Sequence, residues 1–313
     1  MFNVQSKIAA LREELRREHL SAFIFPTTDP HQSEQTADHW KGCEWISGFN
    51  GSAGTAVVTL HSAALWTDSR YFIDAAQQLE GTEYQLMREK EEGTPTIAEW
   101  LGRECGPGAE VALDGMCCSA SDVKELILDL RKQGGITLRT NFDPLQRLWT
   151  DRPPIPMAPI VPQPLEHAGE DVASKLARIR QALRKVHADG MLMASLDDIA
   201  WTLNLRGDDV HCNPVFVSYL LISSRSATLF VNEAKLTPAA RQQLQQYDIV
   251  TAPYDAIKEG LRHYPDYNIL ADPDEVSYTM MQAVNAGLAG VTQRQGVVVT
   301  LPSPVPALKA VAS

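Results

Sequence analysis

Two stretches of the chain repeat one pattern of apolar and polar positions. In "SKIAALREELRREHLSAFIFPTTD", Ser6 to Asp29, the apolar residues Ile8, Leu11 and Leu15 recur among charges, and the run "AFIF" follows. In "SKLARIRQALRKVHADGMLMASLD", Ser174 to Asp197, the residues Leu176, Ile179 and Leu183 recur in the same way, and "MLMA" follows. Spacings of three and four predict an amphipathic helix, and a four-residue apolar run predicts a buried strand. Laid together without gaps, the stretches agree at eight of 24 positions, among them Arg12/Arg180, Leu15/Leu183, Arg16/Arg184, His19/His187 and Asp29/Asp197. Each half then adds a second β-type run, "AALWTD" or "ATLFVN", and a second helical stretch, "RYFIDAAQQLEG" or "TPAARQQLQQY". Helix, strand, loop, strand, helix is an α/β pattern. The sequence therefore predicts two tandem, similar α/β domains, each a mixed β-sheet flanked by helices, and duplication is the simplest account of them.

The break between the halves is "TDRPPIPMAPIVPQP", Thr150 to Pro164, with six prolines. Proline fixes φ and lacks a donor, so this stretch is predicted to be an extended connector rather than a helix or a central strand. The expected organisation is a first domain over 1–150, a linker over 151–165 and a second domain over 166–302. The remaining 303–313, "SPVPALKAVAS", is punctuated by proline like another connector. Length allows this: 313 residues suffice for two ordinary domains.

Charge narrows the function. Lys and Arg number 28 against 39 Asp and Glu, a net charge of −11. Nucleic acid is a poor partner for so acidic a chain, because phosphate neutralisation needs a basic face. The five cysteines, Cys43, Cys105, Cys117, Cys118 and Cys212, are odd in number and irregular in spacing. They predict buried or half-buried thiols in a reducing compartment, not a disulfide framework. The charged N-terminal stretch is no signal peptide, and no run approaches the roughly 18 apolar residues of a membrane span. A soluble, cytoplasmic protein is the expectation, with no membrane partner.

The candidate chemistry is sparse. The eight histidines form no HExxH or HxxxH pattern. "DPHQSE" around His31 and "DDVHCNP" around His211 are the best local metal candidates, but each holds a single histidine, so no metal ligand is assigned and surface or turn histidines are expected. His19 and His187 are placed in the last turns of their helices, where they suit the dipole. Ser47 and Ser52 lie in "SGFNGSAG" without a nucleophile elbow or a local base, so no catalytic residue is assigned. The same stretch lacks the lysine and the spacing of phosphate loops. Gly48, Gly51 and Gly54 instead suit a turn that needs positive φ or close backbone approach before the strand "TAVVTL". Arg70, in "WTDSRYF", is different. It follows a strand and opens a helix, where a cation is disfavoured. An external anionic or carbonyl partner is one reading, and a salt bridge with Asp68 or Asp74 is the other.

Seven motifs then occur in order: "DPHQSE", "ISGFNGSAGTAVVT", "LWTDSRYF", "GTPTIAEWL", "LWTDRPPIP", "LDDIAWTLNLRGDDVHCNPVFVSYLLI" and "SPVPALKAV". Together they resemble the N-terminal two-thirds of the Xaa-Pro aminopeptidases, of the creatinase/prolidase "pita-bread" superfamily. The resemblance implies creatinase-N-like domains. It implies an enzyme that removes an N-terminal residue preceding proline, with two divalent metals, usually manganese, held in a C-terminal domain that this sequence does not contain. It therefore implies no cofactor in this chain, no peptidase activity of the chain alone, and partners in proline-containing peptides, the catalytic domain and a second copy. It implies Arg70 as a substrate-binding residue at the mouth of the active site. The hallmark with Asp198, Trp201, Arg206, Gly207 and Asp209 is read as turn chemistry and packing, with Arg206 salt-bridged. The competing expectation is a naturally short peptide-binding or regulatory module that does not cleave; hydrolase activity within this chain is a third, weaker one.

Overall fold

A computed structural model describes residues 3–289 and 295–311 of the chain. It divides into two compact units. The first holds the chain before Pro30 together with Asp38–Pro154, and the second holds Pro30–Ala37 and the chain from Ile155 onward.

In the first unit, β1 (Ala22–Pro26), β2 (Gly54–Thr59), β3 (Ala63–Thr67), β4 (Tyr84–Arg88), β5 (Glu110–Leu113) and β6 (Thr137–Arg139) form one sheet of order β4-β3-β2-β1-β5-β6. The pairs β1/β2 and β2/β3 are antiparallel, and β3/β4, β1/β5 and β5/β6 are parallel. In the second unit, β7 (Val161–Pro162) and β9 (Leu205–Arg206) make a small antiparallel pair of their own. The strands β8 (Gly190–Met193), β10 (Ser218–Ile222), β11 (Ala227–Val231), β12 (Ile249–Ala252), β13 (Ile269–Leu270) and β14 (Val298–Val299) form the main sheet, of order β12-β11-β10-β8-β13-β14. Its succession of parallel and antiparallel pairs is that of the first sheet. The two mixed sheets predicted from the sequence are thus present. The central strands β3, β8 and β10 are buried at every position, which is why they read as unbroken apolar runs rather than alternating ones.

The repeated helices are Val4–Arg17 and Val172–Lys185, each of 14 residues. Asn3 caps the first through Ser6 N–H, and Asp171 caps the second through Ser174 N–H. Ile8, Leu11 and Leu15 are buried against Leu20, Phe23 and Phe25, and each contributes about 2 kcal/mol by removal from water. The histidines are not in the last turns. His19 and His187 lie beyond the helix ends with φ of 57° and 60°. Their N–H groups bond Arg16 and Arg184 carbonyls, while Leu20 and Ala188 N–H reach back to Leu15 and Leu183. This is the reciprocal C-terminal bonding that glycine usually serves, here closed twice by histidine.

The arginines of the repeat have one job in both units. Arg12 Nε donates to Thr59 O at 2.8 Å and its Nη2 to Ser62 O at 3.2 Å. Arg180 Nε donates to Ser223 O at 3.0 Å and its Nη2 to Ser226 O at 3.0 Å. Each guanidinium clasps the tight turn joining the antiparallel strands, β2 to β3 or β10 to β11.

The C-terminal segment departs from the expected connector. Val305–Val311 is a helix. Its prolines do not forbid this, because Pro304 precedes it and Pro306 falls in the first turn, where no intrahelical N–H is needed. Lys309 pairs with Asp198, Arg178 donates to Leu308 O at 2.7 Å, and Ser303 N–H bonds Asp272. Ala312 and Ser313, the last residues of that segment, lie outside the described residues.

Candidate functional site

The glycine stretch is a scaffold. The helix Gly42–Ser47 ends at Gly48, whose φ of 82° needs glycine. Gly51 and Gly54 do not have positive φ; they are glycines because Phe49 is buried over them. A Cβ on Gly51 would meet Phe49 Cζ at 2.3 Å, and one on Gly54 would meet Phe49 Cε1 at 2.7 Å. Thr27 Oγ1 donates to Ser52 O and accepts from Gly54 N–H, and Thr67 Oγ1 donates to Ala53 O at 2.6 Å. Ser47 donates to Cys43 O inside the helix, so its hydroxyl is committed. Ser52 Oγ lies 2.5 Å from Tyr71 OH, and the Tyr71 ring meets Phe49 edge-on at 5.8 Å. The loop thereby fixes the aromatic residue beside Arg70.

Arg70 sits on a 3₁₀ turn, Ser69–Tyr71, that runs into the helix Phe72–Gln78. Asp68 caps that turn. Its Oδ1 accepts from Arg70 N–H at 3.0 Å and from Nε at 3.1 Å, and its Oδ2 accepts from Nη2 at 2.9 Å. The bond from the Arg70 side chain holds the Asp68 carboxyl below its usual range. The unfavourable position of a cation at a helix start is therefore offset locally, as the salt-bridge reading of the sequence allowed. The side chain is nevertheless 58% exposed, and its guanidinium lies 5.3 Å from the Tyr71 ring centre. The arrangement is a rigid, oriented guanidinium at the carboxyl end of β3, held from one side by a carboxylate. It can present donors to a carbonyl or carboxylate.

The second-unit hallmark is bonded within its own unit. Asp209 and Lys235 form a buried ion pair, and Asp209 Oδ2 also accepts from Val217 N–H at 2.7 Å. Lys175 Nζ bonds Asn204 Oδ1 and Trp201 O and lies 4.4 Å from the Trp201 ring centre. Burial lowers the Lys175 amine to about 8. Asn204 closes the helix Leu196–Leu203 in the left-handed region. Arg206 forms no salt bridge among the described residues. Its Nη1 donates to the carbonyls of Ala200 at 2.7 Å and Leu205 at 2.9 Å. Sequence spacing could not distinguish a carboxylate partner from a helix-end carbonyl.

The metal candidates separate in the fold. His31 is buried rather than a surface histidine. Its Nδ1 bonds Ala194 O at 2.9 Å, its Nε2 lies 2.7 Å from Tyr254 OH, and its ring lies 4.5 Å from that of Tyr219. A carbonyl only accepts, so Nδ1 carries the proton and both ring nitrogens are engaged. His211 is exposed on a turn, and Asp208 is exposed three residues before it. Among the described residues no three His, Cys, Asp or Glu stand together as metal ligands. Burial pushes the Cys43 thiol up to about 12 and Cys105 up to about 11, and it raises Cys117 and Cys118 as well. None of these is an activated nucleophile. Cys212 departs from the expected burial: it is exposed. Two perturbed carboxyls carried no sequence signal. Burial, then Asp143, raises Asp114 to about 6; burial, then Asp198 and Asp272, raises Glu275 to about 8.

Comparison with known proteins identifies the family. Two models described as creatinase/prolidase N-terminal domain match residues 7–136 and 151–312. A probable Xaa-Pro aminopeptidase P of Fusarium vanettenii is 39% identical over 261 residues, which is 82% of this chain and 42% of that protein. Aminopeptidase P2 of Arabidopsis thaliana is 40% identical over 246 residues, 77% of this chain and 34% of that protein. The chain thus spans less than half the length of these curated relatives. Among solved structures, the X-prolyl aminopeptidase of Caenorhabditis elegans, described as a cytosolic enzyme with a di-nuclear active site, superposes with a TM-score of 0.85 at 26% identity. It covers 96% of this chain and 50% of that one. With one domain model on each half and one sheet topology in both, the chain belongs to the creatinase/prolidase N-terminal domain family.

Proposed function

We propose that this chain serves as the N-terminal, non-catalytic region of a metal-dependent Xaa-Pro aminopeptidase, where it positions peptides whose second residue is proline and contributes assembly contacts. The observation that carries the reading is the superposition of nearly the whole chain on half of the nematode enzyme, at a TM-score of 0.85. The residues described here do not fit a metal pair, since no three candidate ligands stand together among them. No chemical step is therefore derived through a metal. In the proposed enzyme two divalent ions, manganese by the family's habit, belong to a separate catalytic domain. A cytoplasmic location is part of the same reading, and so is pairing with that domain or with a second copy.

Within this reading Arg70 is the substrate-binding residue. A guanidinium held in a fork by Asp68 keeps a fixed direction and loses little freedom when it binds. Its task is to donate hydrogen bonds to a peptide carbonyl or carboxylate. In the full-length aminopeptidase, Arg70→Ala is expected to lower kcat/KM by roughly 10- to 100-fold, the scale of one hydrogen bond to a charged group. Arg70→Lys is expected to rescue it poorly, because an ammonium lacks the planar fork. Unchanged kinetics with an unchanged melting temperature would remove Arg70 from the reading. The chain alone, assayed on an Xaa-Pro-Pro peptide with added manganese, is expected to give no turnover; turnover that tracks bound metal would overturn the non-catalytic role.

A further inference from the structure

Beside the strand end that carries Asp68 and Arg70 lies a groove of about 340 Å³ in the first unit, near the lower end of the size range of ligand sites. It opens at the carboxyl ends of β3 and β4. Its floor is apolar, with Trp66, Ile97 and Leu126, and Trp66 is locked in place by donating to Pro95 O at 2.9 Å and by an edge contact with Trp100 at 5.4 Å. One wall is the loop that follows β4. Glu89 N–H bonds Thr67 O and Thr94 N–H bonds Glu91 O, and the loop passes into a helix, Ile97–Cys105, through a complete capping box of Thr96 and Glu99. The other wall is the helix Ala120–Lys132.

The charge of the lining is one-sided. Glu89, Asp122, Glu125 and Asp129 all face the groove, and Lys90 is the one cation among its described residues. The last three carboxylates follow the three- and four-residue spacing of a single helix face. None of the four forms an ion pair among the described residues, although ion pairs occur elsewhere in the unit. Burial, then Asp68, raises the Glu89 carboxyl above its usual range. The same Asp68 holds Arg70, so the groove and the guanidinium adjoin electrostatically. An apolar floor under four carboxylates faced by a single lysine, Lys90, which acts on Glu89, suits a chain that brings a cation on an apolar stem.

We infer that this groove takes the downstream part of the peptide held at Arg70, and that it selects substrates carrying an arginine or lysine beside an apolar residue there. This rests on the substrate-binding role proposed for Arg70 and adds a charge preference that the role does not contain. The tail lies on the floor of Trp66, Ile97 and Leu126, while its cation reaches Glu125 and Asp129.

The test uses the chain as it is, with fluorescein-labelled Ala-Pro-Pro peptides extended by Leu-Arg-Leu or by Leu-Glu-Leu, titrated by anisotropy at low and at high salt. The arginine peptide is expected to bind about fivefold more tightly at low salt, with most of the preference lost at high salt. Glu125→Lys/Asp129→Lys, a surface change whose fold is checked by thermal melting, is expected to abolish or reverse the preference. Arg70→Ala is expected to weaken both peptides alike and leave the preference in place. A preference that survives Glu125→Lys/Asp129→Lys, equal binding of the two peptides, or no binding of either overturns the groove assignment. An Arg70→Ala variant that binds both peptides like the parent, while the preference stands, sinks the Arg70 reading alone. If only an isolated Leu-Arg-Leu peptide without the Ala-Pro-Pro part binds, the groove serves some other basic partner and the substrate assignment is overturned.

Discussion

The Asp209–Lys235 pair offers the sharpest test of the energetics. Both side chains are sealed from solvent, at 0% and 1% exposure, and Asp209 Oδ1 has no hydrogen-bond partner among the described residues. Lys235→Met keeps the length and apolar stem of the side chain and removes its charge. Asp209 would keep the Val217 N–H bond at 2.7 Å and no other hydrogen bond or ion pair among the described residues. Breaking a buried pair by removing one partner costs about 3–5 kcal/mol, because the remaining charge stays desolvated. For a unit of this size each kcal/mol lowers the melting temperature by roughly 2–4 °C, so a fall of roughly 6–20 °C is expected. The exposed Arg262–Glu259 pair is the control; Arg262→Ala is expected to leave the melting temperature nearly unchanged. Scanning calorimetry of the whole chain reads the loss. Asp209→Asn added to Lys235→Met keeps an acceptor for Val217 N–H and removes the stranded charge, so it is expected to recover much of the loss. A Lys235→Met shift no larger than the control's would mean that water reaches the pair, and the reasoning from burial would fail.

Two further outcomes follow from the titrating and reactive groups. Glu275 is held near 8 in the fold against an ordinary carboxyl range near 4.5, so the folded state binds more protons between those values and the second unit should lose stability as pH rises from about 4.5 to 8. The facing groups are Asp198, Asp272, Asp274 and Lys309, and Glu275→Gln should flatten this slope in melts across that window; an unchanged slope refutes the assignment to Glu275. Cys212 is exposed while Cys43 and Cys118 are buried and the Cys105 and Cys117 thiols are pushed up, so a native-state thiol titration with a disulfide reagent should show one fast equivalent, absent in Cys212→Ser. A second fast thiol would contradict the burial described for the others.

The fold was legible wherever one physical signal dominated. Helical spacing at Ile8, Leu11 and Leu15 and the solid runs in β1 and β8 reported burial directly, since these residues are buried on both counts. Sequence also placed Arg70 correctly at a helix start. It could not choose between Asp68 and an external partner, because the choice depends on the geometry of the 3₁₀ turn that brings the Asp68 carboxylate onto the guanidinium. It placed the histidines inside helices that end two residues before them, because a left-handed residue after a helix is read as glycine unless the backbone is seen. It took Pro304 and Pro306 as signs of an extended tail, although both fall where a helix tolerates them. The acidic groove was invisible for a different reason. Its carboxylates come from a strand end and from a helix more than thirty residues away, and only the folded chain brings them to one opening.

The twin arginine clasps make each half of this chain a reference standard for the other. Arg12 and Arg180 hold equivalent turns through equivalent bonds, but Arg12 also grips Glu83 through both terminal nitrogens, whereas no carboxylate bonds Arg180 among the described residues. The same substitution at the two positions, measured in one molecule and one solution, compares a guanidinium bonded to an acid with one that only feels Asp266 and Arg184 through space. The repeated fold thus holds a built-in differential measurement, in which the worth of one partner can be read by subtraction without changing the scaffold.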